Sequence, residues 1–98
     1  MISHLVLFKF KAGIAVGDER VERVVAGMRQ LPERIPLIRT WEHGFNMTPD
    51  AQAWDYGLRA TFSNPADLHA YFEHAEHVLV LSQWEEIGDL IFCDFQLP

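Results

Sequence analysis

The sequence has a single cysteine, few basic residues and no apolar stretch of the about 18 residues that a membrane-spanning helix needs. Cys93 cannot form an intrachain disulfide, and no basic residue in "LIFCDF" stabilises its thiolate, so a small buried core residue is expected. Eight Lys and Arg residues face fourteen Asp and Glu residues, for a net charge of −6. This charge repels phosphate backbones and anionic membranes, so neither nucleic acid nor a membrane is an expected partner.

The amino terminus also lacks the basic segment, apolar run and small-residue cleavage site of a signal peptide. We therefore expect an unprocessed cytoplasmic protein. With 98 residues, 49% of them hydrophobic, the chain suits one soluble domain over residues 1–98. No linker, repeat or low-complexity segment indicates a second domain.

The first segment, residues 2–11, predicts a β-strand with two apolar faces. One face consists of the alternating residues Ile2, His4, Val6, Phe8 and Phe10, and the other carries Leu5 and Leu7. A half-exposed antiparallel strand has a polar second face, so this pattern indicates a sheet that is covered on both sides. We expect a second subunit to provide one of the covers.

Helical spacing of apolar residues predicts a helix that begins after the N-cap Asp18 and is closed by Pro32 and Pro36. Two strands are predicted next, over residues 37–46 and 54–63. The polar loop between them is too long for a tight hairpin.

A second helix is predicted from the N-cap Asn64 and Pro65 to Gly88, followed by a last strand over residues 90–97. Along it, Val78, Leu81 and Trp84 are expected to face the core. The order βαββαβ predicts an α+β, ferredoxin-like fold, a four-stranded antiparallel sheet with helices on one face.

Three of the five histidines lie in "LHAYFEHAEHV", residues 68–78. His74 and His77 have the spacing of two helical ligands, but no third ligand, cysteine pair or H-E-x-x-H motif completes a metal site, and none is predicted. The side chains expected to be solvated are His69, Glu73 and Glu76. Tyr71, His77 and His4 are expected to border the space between helix and sheet, although a lone histidine such as His4 is more often a core residue than a catalyst.

Four segments, "SHLVLFKFK", "IPLIRTWEHGFN", "LRATFSNPADLHAYFEHAEHV" and "CDF", resemble in this order the stress-responsive dimeric α/β-barrel (Dabb) family. Together they cover essentially the whole chain. The resemblance implies a ferredoxin-like subunit and a homodimer, the dimeric α/β-barrel, that forms by sheet-to-sheet packing.

The family contains stress-induced proteins of unclear activity and a plant polyketide cyclase branch, which closes poly-β-keto chains by aldol condensation without a cofactor. By position, the catalytic residues of that branch correspond to His77, Tyr71 and His4. A neutral imidazole can remove a proton next to a carbonyl, and a phenol can donate to the developing oxyanion. The expected pocket for a small hydrophobic or aromatic ligand is lined by Val6, Phe8, Val24, Met28, Phe62, Leu81 and Trp84.

Two positions depart from the resemblance. The family often has proline between the paired histidines, whereas Ala75 permits a continuous helix, in which Tyr71 and His77 would point about 120° apart. Met28 stands near a tyrosine of the cyclase branch, which indicates a different or smaller ligand.

Three functions stay open from the sequence. They are a cofactor-independent cyclase or lyase, a non-catalytic dimeric stress or ligand-binding protein, and a haem- or oxygen-using relative, for which no ligand constellation is present. Some family members bind a divalent ion near the dimer interface, but no cluster of oxygen ligands predicts such a site here.

Overall fold

The computed structural model describes residues 1–98 and contains four strands and three helices. In chain order the elements are β1 (Ile2–Phe10), α1 (Glu19–Arg34), β2 (Thr40–Phe45), β3 (Tyr56–Phe62), α2 (Pro65–Glu73), α3 (Ala75–Ile87) and β4 (Gly88–Gln96). The predicted order of elements is confirmed, except that the second helix is divided into α2 and α3. None of the helices is both long and apolar enough to span a membrane.

The four strands form one antiparallel sheet in the order β2-β3-β1-β4, which confirms the predicted ferredoxin-like α+β fold. β1 is central, and its His4 lies opposite Ala60 of β3 and Asp94 of β4. Val6 and Phe8 are buried while Leu5 and Leu7 are each 38% exposed, so the helices cover one face of the sheet only.

Helix α1 begins at the predicted N-cap, where the Asp18 carboxylate accepts the Arg20 N–H at 2.9 Å. It continues past Pro32, so the prediction that this proline closes the helix is wrong. Proline has no N–H, and the Met28 carbonyl therefore lacks its helical donor. The Trp41 indole Nε1 donates to that carbonyl at 2.9 Å and links β2 to α1.

The division between α2 and α3 lies at His74, so the continuous helix predicted from Ala75 is wrong. His74 has extended backbone angles, φ −64° and ψ 133°, and its own N–H ends α2 by donating to the Tyr71 carbonyl. Its ring Nδ1 accepts the Glu76 N–H at 3.1 Å, which makes His74 the N-cap of α3. A side-chain cap, rather than proline, therefore breaks the helix.

Two predicted core residues lie at the surface. Val78 is 51% exposed, since the break at His74 changes which side chains of α3 face the sheet. Cys93 is exposed because β4 pairs it with Leu5, on the sheet face that no helix covers. We call this surface the uncovered face; its apolar members are Leu5, Leu7, Ile91, Cys93 and Phe95.

Glycine is required where α3 passes directly into β4. Gly88 caps α3, as predicted, and a Cβ atom there would lie 2.6 Å from the Lys9 carbonyl oxygen of the paired strand. The helix and the central strand can approach this closely only because position 88 has no side chain.

Candidate functional site

A cavity of about 250 Å³ lies between the helices and the covered face of the sheet, and 12 of its 14 lining residues are hydrophobic. The predicted wall residues among them are Val6, Phe8, Met28, Leu81 and Trp84. The other two predicted wall residues, Val24 and Phe62, are fully buried in the core and do not line the cavity. The cavity is thus an apolar site of the kind that binds small molecules.

Sequence reasoning missed six lining residues: Leu31, Leu58, Phe72, Val80, Leu90 and Phe92. Helical spacing from Met28 to Leu31 and from Val80 to Trp84 was an available signal for two of them. Phe92 lines the cavity and is also 61% exposed, so the cavity reaches the surface beside it.

The break at His74 also determines how His77 is held. In a continuous helix the Glu76 N–H would donate to the Phe72 carbonyl, but here it donates to the ring of His74. The Phe72 carbonyl instead accepts from Nδ1 of His77, at 3.0 Å. A carbonyl oxygen only accepts, so Nδ1 carries the proton and Nε2 of the neutral ring has the free lone pair.

The protonation state of His77 follows from its surroundings. Burial lowers the pKa of His77, while the hydrogen bond to the Phe72 carbonyl opposes this change and nearby His4 and His74 add to it. A pKa below the usual value of 6.5 keeps the imidazole neutral at pH 7. His77 therefore has the protonation state of a general base.

Tyr71 lies next to His77, with 4.3 Å between the ring centroids, and only 1% of it is exposed. Burial raises the pKa of Tyr71, and the nearby Asp94 carboxylate raises it further. The phenol thus stays protonated across the physiological range and can donate a hydrogen bond. The helix break brings together the two side chains that a continuous helix would have pointed apart.

His4 is 4% exposed and also lines the cavity, with its ring centroid 5.8 Å from that of Tyr71. Its Nδ1 donates to the Asp94 carboxylate at 2.5 Å. Asp94 belongs to "CDF" but was not predicted as a site residue, because only the register of β1 with β4 reveals its pairing. A carboxylate that fixes the ring of a histidine also fixes which nitrogen is left for a ligand.

The other polar residues of the histidine stretch do not line the cavity. His69 and Glu73 are exposed, as expected, and His74 serves as the cap. Glu76, also expected to be solvated, is half-buried and pairs with Arg34 at 2.9 Å. The structure contains no group of three His, Cys, Asp or Glu side chains that could hold a metal ion.

Comparison with known proteins identifies a matching family and two relatives of similar length. The sequence model of the family described as the stress responsive A/B barrel domain matches residues 2–96. An uncharacterised protein of Streptomyces coelicolor is 30% identical over 96 residues, which is 98% of this chain and 99% of the relative. A dimeric protein of unknown function with a ferredoxin-like fold, from Bacteroides fragilis, is 30% identical with a TM-score of 0.81, over 98% of this chain and 95% of the other.

The fold is also similar to that of a hydroxynitrile lyase from Passiflora edulis. The TM-score is 0.84, with 99% of this chain and 93% of the lyase covered. At 15% identity this similarity establishes a shared fold.

Proposed function

The chain belongs to the stress responsive A/B barrel domain family, and we propose that it is a cofactor-independent enzyme of the polyketide cyclase or lyase type. It would act on a carbonyl compound by proton transfer. The observation that carries the proposal is the contact of a neutral, partly buried histidine, His77, with a protonated phenol, Tyr71, inside an apolar cavity. The lyase from Passiflora edulis gives an example of an enzyme with this fold.

In the proposed reaction, Nε2 of His77 removes a proton from the carbon next to the substrate carbonyl. The electron pair of that C–H bond forms a C=C bond, the π electrons of the carbonyl move onto its oxygen, and the Tyr71 hydroxyl donates a hydrogen bond to the resulting enolate oxygen. In a cyclase the enolate carbon then attacks a second carbonyl, and the alkoxide that forms takes the proton back from Nε2 of His77. In a lyase the same steps in reverse order cleave a carbon–carbon bond. The apolar walls strengthen both interactions because they exclude water.

His4 supports this chemistry as a substrate-orienting group. Asp94 holds its ring through Nδ1, which leaves Nε2 for a second polar atom of the ligand. His4, Tyr71 and His77 thus form the polar part of an otherwise apolar cavity.

The proposal is tested by deuterium exchange next to the carbonyl of decan-2-one, followed by NMR in D₂O with wild-type protein. We expect exchange above the buffer rate. His77→Ala should reduce the protein-catalysed rate by about 100-fold or more, and Tyr71→Phe by roughly 100-fold. His69→Ala changes an exposed histidine outside the cavity and should leave the rate unchanged.

A second candidate function is non-catalytic binding of a small apolar ligand, which the hydrophobic lining favours. It predicts that the ketone binds with no exchange above buffer. Exchange that depends on His77 contradicts this candidate, whereas binding without exchange contradicts the enzyme.

We also propose that the protein is a homodimer joined through the uncovered face. Leu5 and Leu7 are each 38% exposed, Ile91 52% and Phe95 45%, which is a continuous apolar surface on neighbouring strands. The Bacteroides fragilis relative is described as dimeric. The cytoplasmic location and the absence of nucleic-acid partners stay predictions from the sequence.

A further inference from the structure

The indole nitrogen of Trp84 is buried without a hydrogen-bond partner, the only side-chain nitrogen or oxygen of the protein in this condition. Trp84 is 2% exposed and lines the cavity. One face of its ring stacks on Phe8, with 4.0 Å between centroids, and the neighbouring Tyr56 hydroxyl is already bonded to His43. The folded chain thus supplies no acceptor to this indole N–H, and because Trp84 lines the cavity, a ligand bound there is the candidate source of one.

Trp84 lies at the opposite end of the cavity from the proposed catalytic pair. It follows His77 by seven residues on α3, which places both on the same side of the helix and roughly 10 Å apart along its axis. The sheet gives a similar length for the cavity. Trp84 stacks on Phe8, and Tyr71 lies near His4. Along β1, His4 and Phe8 are roughly 13 Å apart.

The wall between the two ends is apolar. Val6 lies between His4 and Phe8 on β1, and Val80 and Leu81 lie between His77 and Trp84 on α3. A ligand that extends from one end to the other therefore meets polar groups only at its two ends.

We propose that Trp84 is a specificity residue whose indole N–H binds an acceptor oxygen at the far end of an elongated substrate. The substrate class is an apolar chain or ring system with the reacting carbonyl at His77 and a second carbonyl, hydroxyl or ether oxygen roughly 10 Å away. This inference deepens the proposed function and rests on it for the placement of the reacting carbonyl. A buried donor without a partner is costly, so a ligand that satisfies it gains affinity over one that does not.

Two ketones of equal chain length provide the probe. Decan-2-one has one carbonyl, and decane-2,9-dione has a second one near the other end. The protein has three tryptophans, Trp41, Trp54 and Trp84, whose indole N–H signals are resolved in a ¹H–¹⁵N spectrum and assigned with Trp84→Phe. Trp41 is the internal control, because its indole already donates to the Met28 carbonyl.

We expect the dione to bind about fivefold more tightly than decan-2-one and to move only the Trp84 indole signal downfield. Trp84→Phe should remove the difference in affinity between the two ketones while still binding decan-2-one. Equal affinities in the wild type, an unchanged Trp84 signal on saturation with the dione, or no binding of either ketone would each overturn the proposal.

The same titration separates this inference from the proposed function. If the dione binds and shifts the Trp84 signal without deuterium exchange, the subsite is supported and the enzyme proposal fails. If both ketones exchange at equal rates and affinities with no response of Trp84, the enzyme proposal is supported and the subsite fails.

Discussion

His77 donates a hydrogen bond from Nδ1 to the carbonyl oxygen of Phe72, at 3.0 Å, and this contact fixes the tautomer of the proposed base. The carbonyl is free to accept because the Glu76 N–H has been taken by the ring of His74. One histidine thus breaks the helix, and the break gives the second histidine its orientation. The orientation of His77 in the site therefore depends on this exchange of hydrogen-bond partners.

The pH dependence of the reaction should follow His77. Burial lowers its pKa below the usual 6.5, and only the neutral ring can accept a proton, so the rate should fall as the pH decreases through that lowered pKa. As the pH decreases, the unfolded chain binds this proton at a higher pH than the folded protein does. His77 therefore also reduces the stability of the fold below about pH 6.5. A pH–rate profile of ketone deuterium exchange checks this; an acid midpoint above 6.5 would contradict it.

A proline at position 75 should be tolerated. Ala75 is the first residue of α3, where proline is favoured, and His74 has the extended angles that a residue before proline adopts. We expect Ala75→Pro to raise the free energy of unfolding by about 0.4–1 kcal/mol, measured by urea denaturation, with exchange activity retained.

The matched control for this change is Ala70→Pro, which places proline inside α2. It should lower the free energy of unfolding by about 3 kcal/mol or more. Equal destabilisation by both substitutions would show that the helix is not broken at His74.

The sequence was sufficient to predict the order of elements and several of their ends. Asn64 and Pro65 begin α2 and Gly88 ends α3, because caps and prolines act through neighbouring backbone groups. The helix break was missed, since a histidine side chain replaces the usual proline there. Residue type alone does not show whether the Glu76 N–H donates to the Phe72 carbonyl or to the ring of His74.

The candidate site was predictable in part. His4, Tyr71 and His77 came from the resemblance, and the structure places all three around one cavity. Asp94 could not be found in this way, because its role depends on the pairing of residues 90 positions apart. The exposure of Cys93 has the same origin, since both sides of β4 are apolar and only the register with β1 decides which side is covered.

Trp41 should stabilise α1 through the carbonyl that Pro32 leaves free. Trp41→Phe removes the donor to the Met28 carbonyl, and we expect it to cost about 1–3 kcal/mol in urea denaturation. In the Pro32→Ala background a backbone N–H becomes available to that carbonyl, so the same change should cost less. Equal costs in the two backgrounds would mean that the indole hydrogen bond contributes nothing measurable.

The proposed dimer has a similarly direct test. Leu7→Lys places a charge within the uncovered face, and desolvating that charge should dissociate the dimer in size-exclusion chromatography with light scattering. The control is Leu79→Lys on α3, where the leucine is 53% exposed and lies away from the sheet. A wild-type monomer, or a stable dimer of the Leu7→Lys variant, contradicts the proposed interface.

His77 is the base of the proposed reaction, and chemical rescue of deuterium exchange is the measurement that tests this role. His77→Ala removes the ring and leaves space beside Tyr71 for a free imidazole. We expect this variant to lose exchange of decan-2-one and to regain a saturable part of it when imidazole is added, whereas His69→Ala should behave as the wild type throughout. Wild-type exchange rates in His77→Ala without added imidazole would show that His77 is not the base.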